Sequence, residues 1–219
     1  MQLKPCYKLE QLIQLTNSGG FFRDWAFFLT GFNLVPLTDR MIVLLEAHHD
    51  DFEENAVLDK RSWKIACNGF MDHRLRAGYL IPFYRIKVIQ NHPLLWNYGS
   101  KTYLSIYGGS CKDIALLMGE LFLVHNQITG NWVQFHQIFG FLPKLLEEES
   151  QFQLAVPTPL IAHYLPVLHR HEIRCSIETS PKNEEESSVL LFSSEHFPDN
   201  YDYGQPYIVA KSFEVIESI

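Results

Sequence analysis

Three stretches hold residue types that do chemistry in other settings. His48-His49-Asp50-Asp51 sets four metal-capable side chains in a row. On a strand, consecutive side chains point to opposite faces, so only His48 with Asp50, or His49 with Asp51, share a side. An ion there would need two or three further ligands from elsewhere. No HExxH spacing supplies them. The row therefore reads as a polar strand end. His163, His169 and His171 are the second group. At helical spacing His163 and His169 stand about 120° apart around the axis, so they do not converge on one ion. His125 and His136 flank an expected turn between two helices, where histidines satisfied by backbone groups are the ordinary outcome. We assign no metal site, and the sequence leaves the cofactor unknown.

The third stretch is defined by charge. Residues 46–59 carry a formal −6, whereas 60–87 set seven basic residues against Asp72 alone. Arg74, Arg76, Arg85 and Lys87 are interleaved there with aromatic residues, Tyr84 among them. Basic heads contact phosphate or carboxylate while rings stack on a ligand's flat surfaces. The expected partner is a small anionic ligand or an acidic protein. Ser110, behind Gly108-Gly109, opens an expected helix whose free N–H groups also suit an anion. Its spacing matches neither a P-loop nor a dinucleotide fingerprint. The opposite possibility is that the acidic run neutralises the basic one within the fold.

The chain's net charge of −7 disfavours a protein that coats nucleic acid. A DNA-reading helix-turn-helix is excluded because the second helix carries only Lys144 as a basic residue. No GxSxG elbow or recognisable cysteine neighbourhood supports nucleophilic catalysis. Three function classes follow. The first is a non-catalytic binding or regulatory module using Arg74, Arg76, Arg85, Lys87, Tyr84 and Ser110. The second is a hydrolase or phosphate-ester-processing enzyme drawing acid–base groups from His48, Asp50 and the scattered histidines. The third is a homo- or hetero-oligomer subunit whose apolar surplus, Phe21 to Phe28 and Phe139 to Leu142, forms an interface.

These residues must be placed by elements that the pattern predicts. Tyr103–Tyr107 alternates as a strand. After the glycine break Ser110 is the expected N-cap, with Asp113 three residues on. Ile114, Leu117, Met118, Leu121 and Val124 mark a helix, and Leu116, Phe122 and Leu123 make it apolar almost all round, hence buried. Gly130 is its expected C-cap and Asn131 the next N-cap. Trp132, Phe135, Phe139, Leu142 and Leu146 outline a second helix bent at Pro143, so the pair forms an αα-hairpin on the sheet.

Upstream, Leu9, Leu12, Ile13 and Thr16 give a short helix, and Phe21, Phe22, Trp25, Phe28 and Leu29 a second that ends at Gly31. Met41–Leu45 reads as a strand covered on both faces. Asp59 caps an expected helix through Leu75, weakened by Gly69. Tyr79 to Gln90 reads as a long strand with a bulge or an edge position at Pro82, paired with the Tyr103 strand. Thr158-Pro159 opens a short helix through His169. Strands at 173–177, 189–194 and 207–216 close the chain as a three-stranded antiparallel meander.

The fold class is thus α+β, a mixed or antiparallel sheet of five to six strands packed by a central αα-hairpin, in one domain spanning 1–219. A chain of 219 residues buries a proper core. Cys6, Cys67, Cys111 and Cys175 are scattered without a CxxC pair and read as free thiols of a reducing compartment. No run of 18 apolar residues predicts a membrane span, and the first residues lack a signal peptide's apolar core. A cytoplasmic location is expected.

Overall fold

Alternation rather than helical spacing governs the first third of the chain. In a computed structural model, which describes residues 8–18, 25–51, 56–75, 81–83, 85–107, 111–148, 151–178, 187–193 and 206–218, Trp25, Phe27 and Leu29 are buried while Ala26, Phe28 and Thr30 between them are half-buried. That period of two makes β1 (Trp25–Val35) a strand, not the expected helix. Gly31 does not end it. The pairing register shifts between Leu29 and Gly31, so the glycine marks a bulge. The same correction applies to the helix expected from Asp59. Trp63, Ile65 and Cys67 alternate inward along β3 (Ala56–Asn68), and Gly69 follows with φ +61° in the left-handed region.

β1, β3, β2 (Arg40–Asp51), β5 (Ile81–Phe83) and β12 (Ser212–Ser218) form an antiparallel sheet in the order β12-β3-β2-β1-β5. Met41, Val43, Leu45 and Ala47 of β2 face one way and are fully buried, whereas Ile42, Leu44, Glu46 and His48 are half-buried on the other side. β2 is therefore fully covered on one face only. A second sheet runs β4-β11-β10-β6, with β4 (Asp72–His73), β6 (Arg85–Ile89), β10 (Ser188–Ser193) and β11 (Tyr207–Ala210). Leu190, Phe192, Ile208 and Ile86 of this sheet share one core with Trp25, Phe27, Met41, Val43, Leu45, Trp63 and Ile65 of the first. α1 (Leu9–Asn17) adds the fully buried Leu12. Its last turn also covers the outer edge of β6. Ile86 N–H donates to Thr16 Oγ1 at 3.3 Å, and Asn17 Nδ2 donates to the Ile86 carbonyl at 3.5 Å. An exposed strand edge is a template for unwanted pairing, and here a helix end blocks it.

The expected strand from Tyr79 is resolved as β5 and β6, which join different sheets. β6 pairs with β10, not with the Tyr103 strand. That strand, β7 (Lys101–Tyr107), lies instead between β8 (Gln151–Pro157) and β9 (Arg174–Glu178) in a meander-like antiparallel sheet of order β8-β7-β9. The C-terminal strands are thus shared among three sheets. β10 and β11 pair with each other, β9 pairs with β7, and β12 pairs with β3.

One face of the β7 sheet carries Leu104, Ile106, Leu154 and Val156 into a core with α2 (Ile114–Thr129), α3 (Phe135–Phe139), α4 (Leu142–Glu148) and α5 (Ile161–Arg170). The N-cap of α2 is Asp113, whose Oδ1 accepts from Leu116 N–H at 2.9 Å, rather than Ser110. Gly130, in the left-handed conformation, ends α2 as expected. Asn131 is left-handed too (φ +68°), so it continues the turn and Gln134 becomes the next N-cap. The second helix is broken into α3 and α4 around Gly140-Phe141, and Pro143 falls in the first turn of α4, where its missing N–H costs nothing.

The chain divides into two compact units, where the sequence alone reads as one domain. The first joins Met1–Asn91 to Ser187–Pro198 and Asp202–Ile219; the second is His92–Glu186 with Asp199–Tyr201. Each has its own core, described above.

Candidate functional site

The three basic residues that the structure describes do not share one cleft. Arg85 and Lys87 alternate with buried Ile86, so both are exposed on the same face of β6. Arg74 follows β4, and its N–H donates to the Tyr207 carbonyl of β11 at 2.9 Å. Its guanidinium lies 5.1 Å from the Tyr207 ring centre, a cation–π distance. β4 and β6 are the two ends of their sheet, so three strand spacings, roughly 14 Å, separate Arg74 from Lys87. Arg76, Tyr84 and Ser110 lie outside the described residues.

The histidine row splits as the strand period requires. His48 Nε2 lies 3.2 Å from Glu46 Oε2, and Lys60 Nζ of the neighbouring strand lies 2.8 Å from the same oxygen. Burial pulls the Glu46 carboxyl upward, but bonds to Lys60 and His48 outweigh it and hold the group below its usual value. His49 stacks on Trp25 with ring centres 5.2 Å apart. The side chains of Asp50 and Asp51 lie outside the described residues. Among the described residues no three metal-capable side chains gather around one point.

His125 is fully buried on α2. Its Nε2 lies 2.6 Å from the Val133 carbonyl and its Nδ1 2.5 Å from Tyr164 Oη. A carbonyl only accepts, so Nε2 carries the proton and Nδ1 accepts from the tyrosine hydroxyl. Burial lowers the proton affinity of His125 and raises the Tyr164 hydroxyl above its usual range, which keeps both neutral. This pair is a satisfied core contact.

Among the described residues a pocket lies elsewhere, between the start of α2 and the end of α5. It measures about 340 Å³ and is lined by Lys112, Asp113, Leu116, Glu120, Arg170, His171 and Glu172. Local sequence explains its shape. Asp113 starts α2 and leaves Lys112 just outside the helix. α5 ends in a Schellman turn, with Ile173 N–H donating to the Leu168 carbonyl and Glu172 N–H to that of His169. Glycine is the usual residue at the left-handed position of this turn, but here it is Glu172, with φ +61°. A side chain in that conformation costs about 1–2 kcal/mol. The turn seats buried Ile173 against buried Leu168 and swings Glu172 out to Lys112.

Charge alternates around the wall. Lys112 Nζ lies 3.0 Å from Glu172 Oε2, and Arg170 Nη1 lies 2.6 Å from Glu120 Oε2. His171, the C-cap of α5, is nine-tenths buried. Its Nε2 stands 3.5 Å from the same Glu120 oxygen, within reach of charge attraction but without hydrogen-bond geometry. That nitrogen is fully occluded and has no hydrogen-bond partner among the described residues. The other two histidines of the cluster face elsewhere: His169 Nε2 lies 3.7 Å from Cys175 Sγ, and His163 is exposed. Burial raises the Cys175 thiol, so this contact does not make a thiolate nucleophile.

Sequence reasoning singled out His171 but missed Lys112, Glu120, Arg170 and Glu172. The signal for Asp113 as N-cap was present. A Schellman turn without glycine leaves no signal. No family model, no curated protein and no solved structure matches the chain. Among the described residues no helix is long and apolar enough to cross a membrane.

Proposed function

We propose that this protein is a non-catalytic binding module that recognises a ligand bearing an anionic group, and that the pocket between α2 and α5 receives it. The observation that carries this reading is the pair of exposed cations in the pocket wall, Lys112 and Arg170, beside the N-terminus of α2. Lys112 and Arg170 are mostly exposed, so their bonds to Glu172 and Glu120 contribute less than about 1 kcal/mol each and exchange readily for a ligand's oxygens. The N-terminus of the 16-residue α2 adds a fixed positive field at the same place. Arg85 and Lys87 on β6 provide a second basic face on the other unit, suited to an acidic protein partner.

A thermal-shift screen tests the reading with inorganic phosphate, citrate and mono- and dicarboxylates at two salt concentrations. Anionic compounds should raise the midpoint, less so at high salt. Lys112→Ala, which alters only an exposed side chain, should weaken the effect about ten-fold. A shift unchanged by Lys112→Ala but lost on replacing Arg85 and Lys87 moves the site to β6. A separate hydrolysis assay that showed turnover of a phosphate ester, abolished by His171→Ala, would give His171 and Glu120 an acid–base role instead.

A further inference from the structure

We infer that this protein pairs with a second copy of itself through the outer edge of β9, which joins the three-stranded sheets of the two copies into one continuous sheet. The inference is independent of the pocket reading above. β9 (Arg174–Glu178) ends the β8-β7-β9 sheet, and among the described residues no strand lies on its other side. In an antiparallel ladder a strand gives alternate backbone groups to one neighbour, so the remaining N–H and C=O groups of β9 point away from β7. Edge strands are usually blunted by a proline, a bulge or a charge on the core side. β9 has none of these. All five of its residues pair with β7 without a register shift. Cys175 and Ile177 sit opposite buried Ile106 and Leu104, on the helix-covered face, and Ile177 is 48% exposed there. Arg174, Ser176 and Glu178 alternate with them on the open face and are exposed.

The order of these five side chains selects the occupant. Antiparallel pairing of β9 with its own copy, centred on Ser176, sets Arg174 of each chain opposite Glu178 of the other. It also sets Ile177 beside Cys175, which covers the exposed apolar position. Parallel, in-register pairing would instead put like charges opposite each other, which is unfavourable. Glu178 is already held in place on the open face. Its Oε1 accepts from Ser105 Oγ at 2.5 Å and its Oε2 from Gln153 Nε2 at 2.9 Å. A carboxylate retains further acceptor sites for a guanidinium. A second copy carries the matching charge order by construction, whereas an unrelated segment would have to supply it. A contact of this length buries less than roughly 1,000 Å², so the dimer is weak and concentration-dependent.

The test is sedimentation of the full chain over a concentration series, which should show a monomer–dimer equilibrium. Arg174→Glu and Glu178→Arg should each abolish the dimer, because like charges then face each other. An equimolar mixture of the two variants should restore it, since each supplies the charge the other lacks. Ser176→Cys reads the register separately. Facing Cα atoms in an antiparallel pair are about 5 Å apart, within disulfide range, so mild oxidation should give a covalent dimer. In this register the natural Cys175 falls about 8 Å from its own copy, too far to bridge, so the unaltered chain should not crosslink there. If either charge variant fails to fold, the Ser176→Cys crosslink decides alone. A chain that stays monomeric throughout and gives no crosslink overturns the inference. A dimer that survives both charge reversals overturns it too, as does a mixture of folded variants that remains monomeric.

Discussion

His125 shows how much of a residue's behaviour is set by a neighbour far away in sequence. Its Val133 partner is eight positions on, but Tyr164 is 39 positions away. The sequence supports a histidine satisfied by backbone near the α2 turn, and the Val133 bond is of that kind. It could not show the tyrosine, because only the packing of α5 on α2 brings it there. Tyr164→Phe removes the hydroxyl that donates to Nδ1 and leaves a buried acceptor unmet, which should cost about 1–3 kcal/mol in urea unfolding. The sign of the pH dependence follows from the lowered proton affinity. The unfolded chain binds the proton more readily than the folded one, with a reference value of 6.5. Stability should therefore be complete above that value and fall as pH drops through it. A thermal midpoint that stays level from pH 7.5 to pH 5 would count against a neutral buried His125.

Elements were legible where one periodicity dominated and misread where two fitted. β7 and α2 were clear because Tyr103–Tyr107 alternates and the apolar positions from Ile114 recur at helical spacing. Trp25, Phe28 and Leu29 fit a helix, while Trp25, Phe27 and Leu29 fit a strand, and only β2 and β5 on either side decide between them. Leu116, Phe122 and Leu123 were expected to be buried, yet they are 54%, 46% and 69% exposed. The apolar face of α2 is wider than its single chain covers. The first turn offers a clean measurement. Asp113→Ala removes the cap on Leu116 N–H and should cost about 1 kcal/mol, whereas Ser110→Ala should leave the unfolding midpoint unchanged. Equal losses from both would restore Ser110 as the cap.

At the scale of the whole molecule, the pocket was invisible in the sequence because it belongs to neither charge run. It arises where Lys112 and Glu172, 60 positions apart, meet at two helix ends. The same view makes the two units unequal in their dependence on chain order. The second is drawn mainly from consecutive residues 92–186, while the first closes only when β10, β11 and β12 return to β6, β4 and β3. A chain stopped after residue 186 would lack Leu190, Phe192, Ile208 and Val215 from the first core. Such a truncation should bind a hydrophobic dye and aggregate while keeping the His125–Tyr164 contact; a soluble, dye-silent product would contradict this partition.

During synthesis, then, β3 must wait. It leaves the ribosome well over a hundred residues before β12, the strand that will occupy its open side. Closing so long a loop is entropically slow, and until it closes a long, partly apolar strand presents unpaired backbone to every other chain in the vicinity. The helix end at Ile86 shields β6 early, since α1 precedes it in the chain. Among the described residues β3 has no such early guard, so the yield of folded protein should be governed by what happens to that one edge before β12 arrives.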